Sequence, residues 1–230
     1  MKLLALGAHP DDIEFGCGGL MIKEAQKGTQ IMYVICSLGE SGTNGTPEDR
    51  KKEAEDAAKL VGADVTFLNL GGDCHIINSP ENAYKIAKII REFKPDLVLS
   101  PQTVPHQHPD HLAVGQLGYN ACRFSRYGGI EELKDLPAHR VSFLYQYAIY
   151  SEVGLGPDIL IDVSSVHEAW EQAMSLHVSQ MKTKSYLDLV NSKAKYYGKS
   201  IGVEYAIGLW KTDPIRIDTL SDLTMSSRNY

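Results

Sequence analysis

Short apolar runs alternate with longer amphipathic stretches along the chain. "KLLALGA" (2–8), "QIMYVICS" (30–37), "VTFLNL" (65–70) and "DLVLSP" (96–101) each have the length and composition of a buried strand. Between them, helical patterns fall around 16–28, 47–62 and 81–94; in the third, Ala83, Ile86, Ala87, Ile89 and Ile90 recur at helical spacing. Thr46 before Pro47 and Ser79 before Pro80 are cap and first-turn signals for the second and third helices. Strand and helix in alternation imply right-handed crossovers and an α/β fold with a mostly parallel, doubly wound sheet between two helical layers. A further helix is expected from 109 to about 126, strands at 141–150 and 158–164, helices at 165–178 and 186–198, and a short strand within "GVEYAIGLW" (202–210). No repeat, low-complexity tract or linker divides the sequence, so residues 1–230 are expected to form a single domain.

Composition narrows the function classes. At 43% hydrophobic residues the chain can bury a sizeable core, and no apolar run reaches bilayer-spanning length. "MKLLALGAHPDD" is too short in its apolar part for a signal peptide, so a cytoplasmic location is expected. Cys17, Cys36, Cys74 and Cys122 are scattered without a C-x-x-C pair, which fits reduced thiols and argues against a cysteine-rich zinc site. A net charge of −6 with no basic block gives no support to a nucleic-acid partner, and none is expected.

The chemistry concentrates at two strand ends. His9, Asp11 and Asp12 follow the first strand; His106, His108, Asp110 and His111 follow the "DLVLSP" strand. In a doubly wound sheet both loops lie at the carboxyl rim where ligands bind. Two imidazoles and a carboxylate form a catalytic zinc set with an open position. His9 and Asp12, three apart in a tight turn, can converge on one ion, with His111 as third ligand. Asp11 is then free to serve as a base toward water, and His108, with Asp110 to fix its tautomer, as oxyanion stabiliser or proton donor. A lone histidine at a strand end is more often structural, and His-Pro-Asp alone is a turn signal; the pairing of two such clusters reverses that weighting.

Other features are weaker. "GCGG" (16–19) lacks the last glycine of a dinucleotide fingerprint, because Met21 stands there, and is read as a packing surface. "LGESGTNGTPEDR" (38–50) is a loop on the same rim in which Glu40 and Arg50 can face a substrate. Cys74-His75 reads as an ordinary loop, and His167 and His177 as structural or surface residues.

"AHPDD" at 8–12, "HPDH" at 108–111 and "GESGT…R" between them make the sequence similar, over most of its length, to the LmbE/PIG-L family of zinc-dependent N-deacetylases. The resemblance implies a Rossmann-like fold and one Zn²⁺ per chain on His9, Asp12 and His111, a set that other divalent transition metals also fit. It implies Asp11 as general base and then acid, His108 as oxyanion stabiliser with Asp110 orienting it, and Arg50 as a substrate contact. Tyr186 in "KSYLDLV" matches a tyrosine that assists oxyanion binding. Arg140 in "PAHRV" matches an arginine that in some relatives reaches the site from a neighbouring subunit. The same resemblance implies a homo-oligomer, a hexamer as in several relatives. Ile207 departs from it: many relatives carry an acidic residue there.

The expected activity is hydrolysis of the N-acetyl amide of a small N-acetylglucosamine-type compound. Two alternatives stand beside it: a metal-dependent esterase or phosphoesterase, and a non-catalytic nucleotide-binding module.

Overall fold

The computed structural model describes residues 1–104, 108–149, 156–182, 185–223 and 226. Seven strands form one sheet in the order β3-β2-β1-β4-β5-β7-β6. They are β1 (Lys2–Gly7), β2 (Gln30–Ile35), β3 (Asp64–Phe67), β4 (Leu97–Pro101), β5 (Phe143–Tyr147), β6 (Ile159–Asp162) and β7 (Ala206–Lys211). Every pairing from β3 through β5 is parallel; β7 alone runs against its neighbours β5 and β6. The helices are α1 (Asp12–Gln26), α2 (Pro47–Val61), α3 (Pro80–Phe93), α4 (Pro109–Ser125), α5 (His167–Ser175) and α6 (Tyr186–Ser200).

Period-two alternation along the central strands feeds two cores. Leu3 and Ala5 of β1 and Tyr33 and Ile35 of β2 face α1, α2, α5 and α6. Leu4, Leu6, Val34 and Val98 face α3 and α4. This is the expected αβα arrangement, and strands buried on both faces read as near-continuous apolar runs. The predicted caps form: Thr46 and Asp49 make a reciprocal capping box on α2, and the Ser79 side chain accepts from the Asn82 N–H at the start of α3. No helix among the described residues is long and apolar enough to cross a membrane.

Two features position the site. From β1 the chain winds outward through β2 to β3, while β4 leads to β5 in the opposite direction, so the crevice between β1 and β4 is a topological switch point. Helix α1 begins at Asp12, four residues before the expected start, and carries "GCGG" with a non-helical Cys17 at φ −149°. A Cβ on Gly16 would lie 2.2 Å from the Tyr147 ring, and one on Gly18 would lie 2.9 Å from Trp170. The glycines therefore let two aromatic rings lie against the helix, as the packing reading expected. Both rings are anchored, Tyr147 by donating to the Leu6 carbonyl (2.7 Å) and Trp170 by donating to the Glu14 carbonyl (2.7 Å).

Candidate metal and catalytic site

The chain leaves β1 at Gly7 and turns sharply into α1, and Asp12 stabilises that turn. Its Oδ2 accepts the backbone N–H groups of Ala8 (2.8 Å) and His9 (2.9 Å), which leaves Oδ1 facing His111 Nε2 at 3.1 Å. His9 is held from its far side: Nε2 lies 3.0 Å from Asp73 Oδ1 and 3.2 Å from Asp110 Oδ2. Two carboxylates on Nε2 put the ring proton there, so Nδ1, 3.7 Å from Asp12 Oδ2, presents a lone pair to its carboxylate neighbour. His9 Nδ1, Asp12 Oδ1 and His111 Nε2 thus converge, and His9, Asp12 and His111 are grouped closely enough to hold one ion. Lone pairs meeting in a buried site repel each other unless a cation lies among them. Burial opposes charge on His9, yet Asp110, Asp12 and Asp73 push its pKa well above the ordinary histidine value. Burial also works against the Asp12 carboxylate, but His111 and His9 hold it well below the usual range. The donor types, their spacing and the carboxylates behind His9 fit a divalent transition metal.

Asp11 sits beside this cluster in a left-handed backbone conformation (φ 115°), a strained state for a residue with a side chain. Its carboxyl is buried, and burial together with Asp12 raises its pKa to about 7, against the opposing pull of Arg50, His177 and His9. Arg50 lies behind Asp11 rather than out in the pocket. It is 4% exposed, donates to the carbonyls of Gly39 (2.8 Å) and Pro10 (3.0 Å), and has Nη2 3.5 Å from Asp11 Oδ2. The expected substrate contact is, in this conformation, a brace between the loops after β1 and β2.

His108 is the N-cap residue of α4, its Nδ1 accepting the Asp110 backbone N–H at 3.2 Å. That contact leaves the proton of a neutral ring on Nε2, and burial together with His9 and His111 lowers the His108 pKa, favouring the neutral form. The orienting role expected of Asp110 is therefore divided differently. Its backbone fixes His108, while its carboxylate accepts from the Cys74 N–H (2.7 Å), contacts His9 and stays 3.9 Å from His108 Nδ1. The imidazoles of His9, His108 and His111 gather with centroids 4.6 to 5.4 Å apart.

The remaining expected residues are scattered. Glu40 is exposed on the rim, its Oε2 accepting from the Leu38 N–H. Tyr186, half-buried at the start of α6, packs on Phe15 of α1 with ring centroids 5.7 Å apart. Arg140 is exposed just before β5, at the amino end of the sheet and opposite the loops that carry His9 and His108, so its own chain does not bring it to the site. Ile207 is buried in the core under α1. His106 lies outside the described residues, as does Tyr150 at the end of the expected strand 141–150.

Two features play a larger part than the sequence reading gave them. The first is the loop after β3: Asp73 holds His9 with Oδ1 while Oδ2 accepts from the Ser41 N–H (3.1 Å), and Cys74 takes a left-handed backbone (φ 66°). Its one signal was "GGD" following a strand on the same rim. The second is a buried pair, His177 Nε2 lying 3.2 Å from Glu14 Oε2 with both side chains sealed from solvent. His177 is therefore a structural residue, the first of its two expected readings, and not a surface one.

Comparison with known proteins decides the family. The model described as "PIG-L: GlcNAc-PI de-N-acetylase" matches residues 4–122, which span β1 through most of α4 and hold every residue of the cluster. The chain belongs to the PIG-L family. Among curated relatives, diacetylchitobiose deacetylase of Thermococcus kodakarensis is 27% identical over 223 residues, covering 90% of this chain and 82% of that protein. The solved N,N'-diacetylchitobiose deacetylase from Pyrococcus horikoshii, bound to an inhibitor, superposes with a TM-score of 0.81 at 29% identity, covering 90% and 82%. The chain is also similar to 4-oxalmesaconate hydratase of Pseudomonas putida, 24% identical and covering 71% and 67%. PIG-L membership and the α/β architecture thus agree with the expectations drawn from the motifs.

Proposed function

We propose that this protein is a metal-dependent hydrolase that removes the N-acetyl group from a small N-acetylglucosamine-type compound. One observation carries the reading. His9, clamped by Asp110 and Asp73, turns its free nitrogen toward Asp12 and His111, and a further buried carboxylate, Asp11, stands beside that set without being needed in it. The family description and the deacetylase relatives supply the substrate class.

His9, Asp12 and His111 would hold one divalent cation, with zinc the best match to an N,N,O donor set. Bound there, such an ion polarises an acyl oxygen and makes water nucleophilic near neutral pH. The protein's own groups do the rest. Asp11, buried beside Asp12, takes a proton from the attacking water and delivers it to the departing nitrogen. His108 donates its Nε2–H to the oxygen on which negative charge develops, held in place by the Asp110 backbone. Arg50 keeps Asp11 pointed inward by tying Pro10 to Gly39. Glu40, exposed at the rim, would meet sugar hydroxyls, and Tyr186 would line the α6 side. Arg140 would take part only from a neighbouring subunit of a homo-oligomer.

The test is free-amine release from N-acetylglucosamine and N,N'-diacetylchitobiose. Asp11→Asn should retain its cation and lose roughly 10²–10⁴-fold in turnover, the usual worth of a general base. Near-wild-type turnover by a folded, loaded variant would remove Asp11 from the chemistry.

The hydratase relative makes a second reading concrete, since a cation with an adjacent base can also add water across a carbon–carbon double bond. Water addition to an unsaturated polycarboxylate, with no amine released from either sugar, would establish that reading instead. A dinuclear phosphoesterase fits less well. The two clusters able to hold an ion share only His9, and no carboxylate among the described residues bridges them.

A further inference from the structure

We infer that the protein has an additional site for a thiophilic divalent cation, built from Asp73, Cys74 and His108 at the lip of the crevice. Three donors of different chemistry converge there. Cys74 Sγ lies 3.5 Å from Asp73 Oδ1 and 3.7 Å from His108 Nε2, and the latter two atoms are 3.9 Å apart. Sulfur, nitrogen and oxygen donors at their usual zinc distances stand roughly 3.3–3.6 Å apart on a tetrahedron, so closing the triangle requires only small side-chain movements. Asp73 and His108 belong to a cluster, with His9 and Asp110, that is tight enough to hold an ion. His9 turns its other nitrogen toward Asp12, and the Asp110 carboxylate is taken up by His9 and the Cys74 N–H, so the ligands that remain are Asp73, His108 and the thiol.

The backbone favours this placement. Cys74 is exposed and adopts φ 66°, a conformation that a residue with a side chain enters at a cost and that aims its Sγ at His108. The loop is pinned from beneath by Asp110 accepting the Cys74 N–H and by Ser41, which donates its backbone N–H to Asp73 Oδ2 and its hydroxyl to the Asp73 carbonyl. Asp73 carries one negative charge to offset the cation, and a thiolate supplies a second.

Binding moves protons in a defined way. The Cys74 thiol releases its proton to solvent. Coordination through Nε2 moves the His108 proton to Nδ1, which gives up the capping bond from the Asp110 N–H (3.2 Å), and Asp110 Oδ2, 3.9 Å from Nδ1, becomes its acceptor after a small swing of the ring. His108 then no longer has an Nε2–H to donate. Binding stands independently of the proposed deacetylation. If His108 serves as oxyanion donor, a cation in this second site switches it off.

The test is titration of Co²⁺ into metal-stripped protein, read by metal content and by the near-ultraviolet absorption of a thiolate–cobalt bond. Wild type should take up two equivalents, the thiolate band growing in with the weaker one. Cys74→Ser should keep the first equivalent and lose both the band and the second. The band reports only on a bound thiolate, so it tests this site whatever the first site's chemistry proves to be. Zn²⁺ in excess should also protect Cys74 from alkylation in wild type, whereas Mg²⁺, which prefers oxygen donors, should not. Uptake of one equivalent by wild type, or a thiolate band that persists in Cys74→Ser, would overturn the proposal.

Discussion

Asp110 contributes two separate atoms to two different histidines. Its N–H sets the tautomer of His108, and its carboxylate, with that of Asp73, sets the tautomer of His9. Outer carboxylates of this kind typically change metal affinity by about 10–100-fold when removed. Asp110→Asn keeps an amide oxygen for the Cys74 N–H and keeps the backbone contact to His108, so its effect isolates the carboxylate on His9. Cation affinity, measured by competition with a chelator, should fall by roughly that 10–100-fold. Unchanged affinity would mean that Asp73 alone fixes His9. The proposed ligands were legible in the sequence because they sit in two short motifs at strand ends, where one turn of backbone sets their spacing. Asp73 was not, and Cys74-His75 reads as an ordinary loop, because that loop joins the site through tertiary approach and carries no motif of its own. Nor could the sequence say where the Asp110 carboxylate points; that follows from how α4 begins.

The glycine-rich start of α1 shows how an element can be specified by its neighbours. "GCGG" has little helical propensity and the pattern places the helix start at its first residue, 16, yet apart from a kink at Cys17 the backbone is helical from Asp12. What holds it is Tyr147 and Trp170 lying where side chains would otherwise be. Gly16→Ala tests this. Its methyl would collide with a ring fixed through the Leu6 carbonyl, and overpacking of a buried contact costs about 1–3 kcal/mol. Chemical denaturation should show a loss of that size, whereas a neutral or stabilising change would mean that propensity, not packing, limits α1. Because α1 also carries Asp12, the variant should loosen cation binding along with the fold. The strands and the remaining helices were legible because apolar runs and cap residues are local signals. The direction of β7 was not: the residue pattern of a strand is the same whichever way it runs, and pairing partners decide it.

Across the whole molecule, the buried Glu14–His177 pair ties the chain beyond α5 to the first turn of α1, directly behind Asp11. Burial alone would keep His177 neutral. Glu14 outweighs it, with further help from Asp11 and from Glu53 on α2, and raises its pKa above the ordinary value. The sign of the consequence follows from linkage. A histidine whose pKa is higher folded than unfolded adds stability that is complete below its unfolded value, about 6.5, and fades as pH rises through the folded value. The stability gap between wild type and His177→Gln should therefore be widest below about pH 6.5 and narrow as pH rises above it, as the folded histidine gives up its proton. Subtracting the variant removes the titrations that both proteins share, and thermal unfolding across that range reads the difference. A gap that stays flat would show that the pair is held without charge on His177, and a gap that widens with pH would reverse the assignment. Because the pair lies behind the strained Asp11 turn, a narrowing gap would also mean that the C-terminal half supports that turn more firmly at lower pH than at higher.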